Sequence, residues 1–136
     1  MGRSALGGIL AIGLALSAPV FAEEDPAEGQ AIFETYCAAC HGLDGRGRGP
    51  LGALLTVQPT DLTRLTLRNN GTFPLFRVIS RIDGRDPLVA HGSAMPVYGD
   101  FFEGEDVSLK AASGQPILTS APIVDLMAFI ETLQER

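Results

Sequence analysis

Residues 36–45 read "YCAACHGLDG", and they hold the only two cysteines of the chain, Cys37 and Cys40, with His41 directly behind the second. Three chemistries use cysteines at this spacing: a dithiol redox pair, a zinc site and a covalently tethered haem. A redox dithiol needs a strand leading into the motif within a strand–helix alternation, and none is legible here. A structural zinc ion needs four ligands, and His91 is the single remaining histidine or cysteine. Adjacent Cys40 and His41 also point in awkward directions for one tetrahedron. Cysteine, two spacers, cysteine and histidine is the attachment signature of haem. Thiols one helical turn apart share a side and reach two vinyl groups on one porphyrin edge, and His41, four residues after Cys37, brings its imidazole beneath the ring.

The stretch before the motif predicts the helix that carries it. Asp25, Pro26 and Glu28 supply an N-cap, a first-turn proline and an acid near the helix start. Gly29, Phe33, Tyr36, Cys37 and Cys40 then recur at steps of three and four, so helix one runs from Pro26 into "FETYCAAC" with these residues on one face. Gly29 adds nothing to helix propensity, which implies that another backbone or a ring crosses closely there. A second helix is expected over "FPLFRVISRID", capped at Thr72, with Pro74 in its first turn and Gly84 at its end. A third, "SAPIVDLMAFIETLQER", carries the stripe Ile123, Leu126, Met127, Ile130 and Leu133. Long loops over 42–71 and 83–119 separate them, with little strand signal. Loops of that length need something to pack on, and a large flat cofactor would provide it.

At 136 residues the chain has room for one domain. Residues 1–22 read as a signal peptide, cleaved after Ala22: Arg3, an uncharged apolar run, then "SAPVFA". The run is too short and too interrupted by glycine and proline for a bilayer span. The working domain is then 23–136, soluble and exported, with the periplasm as its expected compartment. A membrane enters only if the signal stays uncleaved or through a membrane-bound partner. Without the signal, nine Lys and Arg face 16 Asp and Glu, which makes nucleic acid an unsuitable partner. The seven arginines of 44–85 form a basic middle between acidic ends.

In these features the sequence resembles the class I, monohaem cytochromes c. The resemblance rests on "GQAIFETYCAACHGLDGRGRGP", "MPVYG" and "IVDLMAFIETL", in the family's order and over nearly the whole mature chain. It implies a mainly α fold in which the first and last helices cross, with Phe33 meeting Phe129 or Ile130, and long loops wrap one covalently bound haem c. It also implies thioethers from Cys37 and Cys40, iron ligation by His41, and a Pro50 carbonyl accepting the other imidazole proton. Met95 is the candidate sixth ligand: Met1 lies in the signal, Met127 in a helical stripe, and Pro96 after Met95 matches the family pattern. His91 stands as its rival four residues earlier. Tyr98, where the family often has tryptophan, either bonds a haem propionate or packs, and Arg77, Arg81 and Arg85 are alternatives for neutralising propionates.

The function expected is one-electron transfer between a donor and an acceptor redox protein, not an enzyme activity. Two rivals stand beside it: a fixed haem subunit of a dehydrogenase or oxidase complex, contacting through Phe101 and Phe102, and a five-coordinate or bis-histidine haem enzyme or gas sensor. Arg46 and Arg48 are expected to give the haem edge a small positive patch.

Overall fold

The computed structural model describes residues 24–85, 95–98 and 101–135. The signal segment 1–22 and His91 lie outside the described residues. Four helices, α1 (Pro26–Tyr36), α2 (Ala38–His41), α3 (Leu75–Asp83) and α4 (Ala121–Thr132), and a hairpin of β1 (Asp106–Lys110) and β2 (Pro116–Ser120) are joined by long connections. Short 3₁₀ turns at Gly52–Leu54, Leu62–Arg64 and Leu67–Asn69 punctuate the first of these connections.

Helix α1 starts as its sequence requires. The Asp25 carboxylate accepts from the amides of Ala27 and Glu28, and proline occupies the first turn, where an amide hydrogen has no helical partner. The helix does not run unbroken through the motif: it ends at Tyr36, and Cys37 joins it to the single turn α2. Continuity is nearly kept, since the Cys37 amide donates to the Phe33 carbonyl at 2.9 Å and the His41 amide to the Cys37 carbonyl at 2.9 Å.

The crossing of α1 and α4 is the centre of the fold. A Cβ on Gly29 would lie 2.0 Å from the Asp125 carbonyl oxygen, so only glycine lets the two backbones approach this closely. One turn further on, Phe33 packs against Phe129 with ring centroids 5.3 Å apart. Phe33, Ile79 and Leu126 are the largest fully buried side chains, so α1, α3 and α4 each contribute one residue to the innermost core. The α4 stripe behaves as its spacing predicts: Ile123, Leu126, Met127 and Ile130 are buried, and Leu133 packs at the edge of the cluster.

Helix α3 is shorter at its start than the sequence suggests. Pro74 is the N-cap residue rather than part of the first turn, and Thr72 lies outside it; Gly84 ends it in a left-handed conformation. The hairpin departs from the expectation of a loop over 83–119. Its strands are antiparallel, from Asp106 opposite Ser120 to Lys110 opposite Pro116. Ile117 and Thr119 alternate inward along β2, a period-two pattern too short to stand out in the sequence. Phe102, just before the hairpin, is buried while Phe101 is exposed, so only Phe101 meets the expectation of a surface pair.

Hydrogen bonds close the end of α4 onto the first long loop. The Gln134 amide group donates to the Leu62 and Ile130 carbonyls and accepts from the Thr66 amide, while the Glu135 amide donates to the Thr63 carbonyl. The start of α1 is likewise tied to α4, because the Asp25 amide donates to the Asp125 carboxylate.

Candidate haem site

The α1–α2 junction presents Cys37, Cys40 and His41 within one turn, each half-buried. The cysteines are not joined to each other. Burial first, and the neighbouring Cys40 second, push the Cys37 thiol up to about 11. A dithiol built for exchange needs the opposite shift, toward thiolate. The environment therefore suits a tether better than a redox pair.

His41 is fixed from one side. Its Nδ1 lies 2.9 Å from the Thr60 carbonyl oxygen. Pro50 does not fill the role the resemblance gave it, and the carbonyl that orients the imidazole belongs to Thr60, nineteen residues along the chain. Backbone packing explains the exchange: a Cβ on Gly47 would fall 2.2 Å from the Pro59 carbonyl oxygen, and Gly47 has φ +76. Only a glycine there lets the 59–60 segment lie against the motif loop, and the Gly47 amide bonds the His41 carbonyl at 2.7 Å. Pro50 sits instead in a turn that caps α2, where the Gly49 amide bonds the Cys40 carbonyl and the Leu51 amide the Ala39 carbonyl. It lines a recess of about 660 Å³ with the spacers Ala38 and Ala39.

Burial lowers the pKa of His41, partly offset by its bond to Thr60. The imidazole is thereby held neutral, the form that binds a metal, and its bonded Nδ1 leaves Nε2 for that purpose.

Met95 is half-buried and packs against the core cluster that also takes in Cys37, Phe33 and Ile82. Its segment is anchored to α3, since the Tyr98 amide donates to the Ile82 carbonyl at 2.7 Å. The Tyr98 hydroxyl donates to the Tyr36 carbonyl at 3.2 Å. Its ring stacks on Phe102 at 5.3 Å. Burial, followed by the charges of Cys37 and Cys40, raises its pKa.

The arginines are less available than their sequence positions suggest. Arg46 pairs with Glu135 at 2.7 Å, Arg48 approaches Asp44 at 3.6 Å, and Arg85 donates from Nε to Asp83 at 2.6 Å. The positive patch expected of Arg46 and Arg48 is thus balanced by carboxylates on the spot. Thr60 and Gln134 escape sequence reasoning, as does the role of the Tyr36 carbonyl, because a backbone carbonyl is advertised by no side chain.

These residues fit a haem. Two unlinked thiols stand within one turn of a neutral histidine with one nitrogen committed. Leu51, Leu54, Val57, Phe76 and Val97, from the first loop, α3 and the Met95 segment, are all exposed, more bare apolar surface than so small a core explains. Among the described residues no group of three or more His, Cys, Asp and Glu converges on a metal site, and no helix is long and apolar enough to cross a membrane.

A family model for cytochrome c matches residues 26–134. No curated protein and no solved structure matches the chain. With the motif, the helix crossing and the neutral histidine in place, the chain belongs to the cytochrome c family of electron-transfer proteins, whose haem is covalently bound.

Proposed function

We propose that the protein is an exported, monohaem, one-electron carrier between redox proteins, with thioethers from Cys37 and Cys40 and iron held by His41 and Met95. The observation that carries this reading is the His41 Nδ1 contact to the Thr60 carbonyl, which orients the ring and increases its donor strength. The haem supplies an iron that changes oxidation state without binding substrate. The chain's own part would be to hold the iron through His41 and Met95 and to set its potential. Met95 as the second ligand would favour a higher potential than a histidine in that role. Export follows from the signal-like segment 1–22, and the mature chain should begin at Glu23.

Absorption spectra of the purified protein, oxidised and reduced, test the reading. One haem per chain, a sulfur-to-iron charge-transfer band lost in Met95→Ala and kept in His91→Ala, and no carbon monoxide binding to the reduced form at neutral pH are the expected results. A band that survives Met95→Ala, or ready carbon monoxide binding by the parent, overturns it.

A further inference from the structure

Four aromatic rings lie in a continuous cluster beside the attachment motif. Tyr36 touches Phe101 at 5.0 Å and Phe102 at 5.4 Å, both edge-on, and Tyr98 stacks on Phe102. Phe102 is 6 % exposed and anchors the group, whereas Tyr36 is 39 % and Phe101 57 % exposed. Large aromatic surface left in water beside a buried ring of its own kind is the anatomy of a contact spot. Its position matters as much as its exposure. Tyr36 is bonded to Cys37, and Tyr98 donates its hydroxyl hydrogen to the Tyr36 carbonyl.

Charge identifies what covers this spot. Glu103, Glu105 and Asp106 follow the aromatic pair directly, all exposed, and none makes an ion pair among the described residues. No Lys or Arg lies between Arg85 and Lys110. Three arginines of the first loop are engaged elsewhere, Arg46 and Arg64 with Glu135 and Arg48 with Asp44.

We propose that Tyr36 and Phe101, rimmed by Glu103, Glu105 and Asp106, form the docking surface for a redox protein that presents an apolar centre within a basic rim. The proposal rests on the electron-carrier reading. Apolar contact at the two rings holds the partner against the tethering edge, and the acidic rim steers its approach. One electron passes across the contact, the donor being oxidised and the acceptor reduced, and no bond forms or breaks.

Tris-phenanthroline cobalt(III), an apolar-edged trication, stands in for such a partner, and ferricyanide, a polar trianion, is its control. Stopped-flow oxidation of the reduced, haem-loaded protein is compared for the parent, Phe101→Ser, and the triple variant Glu103→Lys, Glu105→Lys, Asp106→Lys. Phe101→Ser is expected to slow the cobalt reaction about fivefold, the size of one lost aromatic contact. It should leave the ferricyanide rate and the midpoint potential in place. The triple variant should slow the cobalt reaction more at low salt, with the difference shrinking as salt rises, and quicken the ferricyanide reaction. Parental cobalt rates in both variants, or equal slowing with both oxidants, overturn the proposal. A parent that exchanges electrons with neither oxidant instead defeats the carrier reading beneath it.

Discussion

Single atoms decide the critical contacts. Alanine at position 29 would gain about 1 kcal/mol of helix propensity, but its methyl group would sit 2.0 Å from the Asp125 carbonyl oxygen. Prising the helices apart costs more, so Gly29→Ala is expected to destabilise the haem-loaded protein by about 2 kcal/mol, read by denaturant unfolding. Tyr98→Phe separates two roles for this hydroxyl, a bond to Tyr36 and a bond to a propionate. Losing the hydroxyl's bond to Tyr36 should cost about 1 kcal/mol and leave the midpoint potential unmoved. A propionate partner, by contrast, would shift the potential when removed. Met95 and Cys37 could be singled out from the sequence because their chemistry is in their side chains. Thr60 could not, because its contribution is a carbonyl that every residue possesses.

At the scale of elements, α4 carries a titration as well as a core face. Burial, with the Glu24 carboxylate second, raises the pKa of Glu131 above its usual 4.5. Glu24, Lys110 and Glu131 line one recess of about 160 Å³ between α4, the hairpin and the start of α1. A carboxyl whose folded pKa is raised binds more protons folded than unfolded, so its contribution to stability is present below pH 4.5 and lost as pH rises through the folded value. Glu131→Gln should therefore be more stable than the parent at neutral pH, with the gap closing below pH 4.5. Urea unfolding at the two pH values measures it. The helices themselves were legible because caps and three-four spacing are local. The hairpin was hidden because five-residue strands offer two inward residues each, and its placement depends on Ile117 and Thr119 finding the α4 core.

Across the whole molecule, the long first loop is ordered by what it touches. Its backbone bonds His41, Gln134 and Glu135, tying the attachment motif to the far end of α4. The exposed apolar residues of that loop and of α3 lack cover of their own. Replacing both Cys37 and Cys40 by alanine is expected to abolish covalent haem and with it the fixed tertiary packing. Near-ultraviolet circular dichroism should collapse while much of the helical far-ultraviolet signal remains. Retention of the near-ultraviolet signal would show that the polypeptide core suffices alone. Charge is likewise a whole-molecule property: the arginine-rich middle and the acidic ends, separate in the sequence, are brought into ion pairs by the fold at Arg46 and Glu135.

The sequence by itself determined the cofactor chemistry, the three main helices and the reason for Gly29, since attachment spacing, caps and helical periodicity act over a few residues. Tertiary structure alone decided that Thr60 and not Pro50 holds His41, that Tyr98 bonds Tyr36, and that Arg46 is balanced by Glu135. Each of these joins residues brought together by backbone approach, and backbone carbonyls and the distances between remote charges leave no mark on residue identity.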